Sequence, residues 1–258
     1  MNERVKMETV ELKSLHDQSY TMKESLRILR TNLQFCGDDI HTILFTSAAP
    51  DEGKSTVVLN LARSLTDSKK GVLVIDADMR KSALIGRLGA KKEGGEIYGL
   101  SHFLTGQKRL ADVIYATQVP RLYIVFAGPP VPNPTEILEK KYFEELLSFG
   151  REYFDYVLID CPPVGAAIDA AVIAPKCDGA IFVVAQGQVS SRLISETKHQ
   201  LEASGIRILG AVLNKVDMKR GGAYGKYYDK YYGKYYSKYY SDCDTEKTGK
   251  SVNTKKGS

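Results

Sequence analysis

HTILFTSAAPDEGKST, His41 to Thr56, is the stretch on which the reading of the fold turns. Its first eight residues form an apolar, β-rich run, and AAPDEGKST, from Ala48 to Thr56, follows the pattern G-x-x-x-x-G-K-[ST] except that Ala48 stands at the first glycine. The physics of the pattern survives that change. Gly53 lets the backbone approach a phosphate, the amides at a helix start offer donors, Lys54 supplies a point charge, and Ser55 can ligate Mg²⁺. A helical periodicity over 54–67 places the loop between strand and helix, which argues against a Gly-Lys-Ser that opens a helix by chance.

Outward from this loop, short apolar runs alternate with helical segments. Strands are predicted over 41–48, 71–78, 122–128, 156–163, 179–187 and 208–216, and helices over 54–67, 135–150, 166–174 and 190–204. Near-continuous Val/Ile/Leu runs suit strands covered on both faces, and their alternation with helices predicts a doubly wound, mostly parallel α/β sheet. Ligands of such sheets bind at the carboxyl ends of the strands. Two further motifs fall there. VLVIDADMR ends a strand with Asp76 and Asp78, two carboxylates at i and i+2 that would point to one site; YVLIDCPP ends another with Asp160 before two prolines. Either alone could be an ordinary polar strand end. One lysine and three carboxylates arriving together at strand ends form a phosphate and magnesium site. LNKVD, Leu213 to Asp217, has the form of a guanine reader or of a plain strand end.

Composition bounds the rest. A chain of 258 residues, 43% hydrophobic, can bury a full core, and no run of 18 apolar residues or secretory leader is visible. The expectation is a cytoplasmic protein that reaches a membrane only through a partner. Cys36, Cys161, Cys177 and Cys243 are scattered, without the spacing of a disulfide framework or zinc site. Residues 20–36 read as an amphipathic helix in which Leu26, Leu29 and Leu33 form a buried stripe beside Glu24, Arg27 and Arg30. That charged row is either a solvated face with local ion pairs or a contact between subunits.

The organisation expected is a body over 1–217 and a disordered extension over 218–258, where aliphatic residues nearly vanish. The extension carries ten Lys or Arg against four Asp or Glu, a balance of +6, and leaves the body at −1. Within it Lys-Tyr-Tyr-x repeats four times, so that 9 of the 16 tyrosines lie between Tyr224 and Tyr240. Interleaved Lys and Tyr also suit single-stranded nucleic acid. Nothing in the body reads bases, so nucleic acid is not the partner expected.

The P-loop with Pro50, Asp51 and Glu52, the DxDxR at Asp76, Asp78 and Arg80, the strand-terminal Asp160, the segment GPPVPNPTEIL over 128–138 and the tyrosine cluster together resemble the bacterial tyrosine kinases of capsule and exopolysaccharide synthesis. The cytoplasmic Gram-positive type is the nearest match. The resemblance implies a P-loop NTPase fold of the partitioning and cell-division ATPase class, with ATP and Mg²⁺ as its ligands. It implies an ATP loop of Pro50, Asp51, Glu52, Gly53, Lys54, Ser55 and Thr56, with Lys54 on the phosphates. Ser55, Asp78 and Asp160 would organise Mg²⁺, Asp76 would assist loss of the tyrosine proton, and Asn214 would contact adenine rather than guanine. Autophosphorylation would fall on Tyr224, Tyr227, Tyr228, Tyr231, Tyr232, Tyr235, Tyr236, Tyr239 and Tyr240. The resemblance further implies other protein substrates, a homo-oligomeric ring (an octamer) joined through Glu24, Arg27 and Arg30, and a membrane-spanning modulator that activates the kinase. The sister ATPases carry a lysine five residues before the P-loop lysine, where this chain has Ala49. A non-kinase P-loop ATPase switch that controls partner binding is the alternative.

Overall fold

The central strands of the computed structural model are VLVID, TILFT and YVLID, buried along nearly their whole length because apolar side chains leave them on both faces. The structure describes residues 7–15 and 18–216. The expected extension, 218–258, and all nine of its tyrosines lie outside the described residues. In β3 (Val72–Asp76), Leu73 and Ile75 join one apolar cluster, while Val72 and Val74 join the other. This period-two division makes a sheet with a core on each face.

The described residues form a nine-stranded sheet. Its strands are β1 (Glu8–Leu12), β2 (Thr42–Thr46), β3, β4 (Ala90–Lys92), β5 (Tyr115–Thr117), β6 (Leu122–Val125), β7 (Tyr156–Asp160), β8 (Gly179–Ala185) and β9 (Ile208–Asn214). Their order is β4-β1-β5-β6-β3-β7-β2-β8-β9. The β1–β4 and β5–β6 pairs are antiparallel and every other pair is parallel, so the fold is the doubly wound, mostly parallel sheet expected.

The helices are α1 (Tyr20–Gln34), α2 (Lys54–Asp67), α3 (Leu84–Leu88), α4 (Leu100–Leu104), α5 (Pro134–Leu138), α6 (Lys141–Tyr153), α7 (Asp169–Ile173) and α8 (Ser191–Glu202). Ser19 caps α1 by accepting from the Met22 amide, and Leu26 and Leu33 are buried as their spacing predicts. The helix expected over 135–150 is two helices, because Lys140 takes an extended backbone between them; Pro134 starts the first, and Phe143, Leu146 and Leu147 hold the second to the core. The strand expected over 122–128 stops at Val125. The next carbonyls, of Phe126 and Ala127, accept from Leu100 and Ser101 at the start of α4.

Candidate active site at the carboxyl ends of the central strands

Beyond β2 the chain turns through Ser47–Gly53 and enters α2 at Lys54. Gly53 has φ +88, and a Cβ there would lie 2.2 Å from the Asn214 amide nitrogen, so only glycine fits both the backbone and the neighbour. Asn214, last in β9, donates through Nδ2 to the Glu52 carbonyl at 2.9 Å, and Lys215 donates to the carbonyl of Asp51. Glu52 is fully buried. Its Oε2 accepts from the Ala49 amide at 2.9 Å and its Oε1 from the Ala185 amide at 3.0 Å. The side chains of Glu52 and Asn214 thus brace the loop from within and from β9. Their described contacts are to backbone groups of the loop and, through Ala185, of β8.

Asp76 ends β3 and Asp160 ends β7, and parallel register sets them side by side. Both are buried. Asp160 accepts a hydrogen bond from Ser55 in the first turn of α2, and its Oδ1 has no hydrogen-bond partner. Burial pushes the Asp160 carboxyl up to about 6, against the pull of the Ser55 hydroxyl and Lys54. Burial, and then the charge of Asp160, push Asp76 up to about 7, although Ser82 Oγ donates to its Oδ2 at 2.8 Å and the Asp78 amide to its Oδ1 at 3.2 Å. The strand expected over 71–78 is shorter than that range. The strand stops at Asp76, and the Asp78 carboxylate lies in a turn where Oδ1 accepts from the amides of Arg80 (3.3 Å) and Lys81 (3.0 Å).

A cavity of about 150 Å³ joins these groups. Pro50, Asp51, Gly53, Lys54, Ser55 and the three aspartates all border it, as do Lys81, Ser82 and Arg87, which no sequence motif singled out. Arg87 also sits 3.9 Å from Asp51. Thr56 borders a neighbouring cavity of about 330 Å³ instead, with Leu59, Asn60 and Met22.

The donor set fits magnesium. One buried carboxylate oxygen is orphaned beside a hydroxyl, a second carboxylate lines the same cavity, and a helix start with a lysine faces it. Mg²⁺ takes one or two carboxylates together with phosphate oxygens and water rather than a dense protein cage. Accordingly, among the described residues no group of three or more His, Cys, Asp or Glu forms such a cage.

On α1, Glu24 pairs with Arg27, and the Arg30 guanidinium donates to the Ser64 carbonyl of α2 at 2.6 Å. Arg30 is thus engaged within the chain. The described cysteines, Cys36, Cys161 and Cys177, are free. No helix among the described residues is long and apolar enough to cross a membrane.

Residues 40–196 match the AAA domain family. The chain is 40% identical over 212 residues to the tyrosine-protein kinase CpsD of Streptococcus agalactiae, a match that covers 81% of this chain and 91% of the relative. The kinase domain of the Escherichia coli tyrosine kinase ETK superposes with a TM-score of 0.72 at 32% identity, over 78% of either chain. The septum site-determining protein MinD of Pyrococcus horikoshii, complexed with Mg-ADP, superposes with a TM-score of 0.59 at 26% identity, covering 70% of this chain and 72% of that one.

Proposed function

Since this chain belongs to the tyrosine-protein kinase family of its bacterial relatives, we propose that it transfers the γ-phosphoryl group of ATP to tyrosines of its own C-terminal cluster. The observation that carries this reading is the convergence of Lys54 and Ser55 with the buried pair Asp76 and Asp160 at adjacent strand ends.

Phosphoryl transfer asks mostly for positioning and charge neutralisation. Lys54 and the amides at the start of α2 would hold the outer phosphates, and Ser55, Asp160 and Asp78 would hold the metal. Bound as its magnesium complex, ATP supplies the phosphoryl group and a cation that offsets the charge on the transferred oxygens. Asp76, buried at the end of β3 beside Asp160, accepts the proton of an incoming phenol of ordinary pKa near 10. Asn214 holds the P-loop against β9 through the Glu52 carbonyl, and in this reading it would also contact adenine.

The nine tyrosines from Tyr224 to Tyr240 are the acceptors in this reading. Each phosphate adds about −1.5 to −2 charge, so roughly four would cancel the +6 of residues 218–258. Neighbouring tails in a ring would then repel and loosen it. A membrane-spanning modulator would bring the kinase to the inner face of the membrane, where its phosphorylation state regulates capsular or exopolysaccharide synthesis and export.

Incubation of the full chain with Mg-ATP, alone and with that modulator, followed by detection of phosphotyrosine, tests the reading. Wild type gains phosphotyrosine; Lys54→Met, and Tyr→Phe at all nine positions, do not. The likeness to MinD supplies the competing outcome, ATP hydrolysis with no phosphotyrosine in either condition, which would overturn the proposal.

A further inference from the structure

The Asp76–Ser82 loop carries two of the three site carboxylates, and most of its hydrogen bonds are internal or reach only β7. Ala77 donates to the Asp160 carbonyl, Met79 to the Ala77 carbonyl, and the Asp78 carboxylate accepts from the two amides that follow Met79. One contact carries the loop outward. Arg80 donates through Nε to Asp169 Oδ2 at 2.7 Å and through Nη2 to Asp169 Oδ1 at 2.9 Å. Thr135 Oγ1, in α5, donates to the same Oδ1 at 2.8 Å.

Asp169 opens α7 and has no exposed surface, while the Arg80 side chain is 42% exposed. A buried carboxylate thus collects three hydrogen bonds, two in the planar fork that only a guanidinium presents. The fork fixes orientation as well as distance. A buried ion pair is weak evidence of stability in itself and better attested as a device that sets register. Here the register at stake is that of Asp76 and Asp78, four and two residues before Arg80.

We propose that Asp169 and Thr135 are positioning residues for the nucleotide site. Acting through Arg80, they hold the Asp76–Ser82 loop where its carboxylates meet the magnesium–nucleotide complex, and they tie it to the segment 128–138 through α5. The inference rests on the magnesium–nucleotide reading of the cavity.

The test uses the full chain with two readouts. One is the affinity for a fluorescent ADP analogue with and without Mg²⁺, taken as the ratio of the two dissociation constants. The other is amide hydrogen exchange over Met79–Ser82 in nucleotide-free protein. Loss of groups that orient metal ligands weakens metal binding by about 10–100-fold. Asp169→Asn and Arg80→Lys should therefore lower the magnesium enhancement about tenfold and speed exchange in the loop. Thr135→Val should lower it by about two- to threefold, and Thr135→Ser, which keeps the hydroxyl, should restore it. Variants that lose thermal stability yet keep the wild-type ratio and exchange pattern would show a merely structural pair and overturn the proposal, as would Thr135→Ser behaving like Thr135→Val. A wild type without magnesium-dependent nucleotide binding would overturn the site reading as well. Should Asp169→Asn fail to fold, the threonine pair and the exchange measurement decide.

Discussion

Replacing Asp160 with asparagine should stabilise the nucleotide-free protein at pH 8, and the gain should vanish at pH 4. The wild-type carboxyl stands at about 6 in the folded chain against an ordinary 3.8, because burial disfavours its charge. Between those values the folded state binds more protons at this carboxyl than the unfolded state, so its contribution to stability is greatest at low pH and falls as pH rises through about 6. Asp76, raised to about 7 and facing Asp160, extends the fall upward. About two pKa units correspond to roughly 3 kcal/mol at 1.36 kcal/mol per unit. Relaxation, and an asparagine NH₂ that inherits the orphaned position, reduce the expected gain to about 1–2 kcal/mol. At about 2–4 °C per kcal/mol for a domain of this size, Tm should rise by roughly 3–6 °C at pH 8 and be nearly unchanged at pH 4. The assay is thermal unfolding by circular dichroism, metal-free, across that pH range. A variant equally or less stable than wild type at both ends would refute the reasoning, since Asp160 would then carry no burial penalty. The same variant should lose magnesium-dependent nucleotide binding, because the orphaned oxygen that destabilises the empty fold is the one offered to the metal.

The other expectations concern the loop and its neighbours. Glu52→Gln can accept from only one of the two amides Glu52 now serves, so it should lose about 1–3 kcal/mol in denaturant unfolding; an unchanged midpoint would contradict the brace. Gly53→Ala, strained at φ +88 and 2.2 Å from Asn214, should abolish nucleotide binding, and a second change, Asn214→Ala, should recover part of the stability but not the binding. Magnesium–nucleotide affinity should rise from pH 5.5 to 7.5, as Asp160 loses the proton that competes with the metal and the neighbouring Asp76 gains a charge that attracts it, with proton release visible as buffer-dependent heat in calorimetry. A flat affinity over that interval would detach the pair from the metal.

Much of this was legible in sequence because burial on both faces forces long aliphatic runs. TILFT, VLVID and YVLID announce themselves, and chain chemistry puts an aspartate at the end of two of them. The edge was harder. In β1, Val10 and Leu12 alternate with Thr and Glu, a period-two signal of only two apolar residues within a polar opening, and β4 and β5 are three residues each. The bracing contacts of Glu52 and Asn214 were not legible for a different reason. Motif position says that a residue lies in the phosphate loop, but which way its side chain turns depends on Ala185 and Gly53, which the chain brings alongside only on folding. Asp169 had no signal of its own. An aspartate before Ala-Ala-Val reads as a helix start, and its partner lies 89 positions away.

The central claim is that this P-loop site modifies tyrosine. The most direct measurement is mass spectrometry of the full chain after incubation with Mg-ATP and its membrane modulator, with Lys54→Met alongside. The account predicts phosphate on tyrosines between Tyr224 and Tyr240 in wild type and none in the variant. ATP consumed with every tyrosine unmodified, or phosphotyrosine persisting in Lys54→Met, would contradict it.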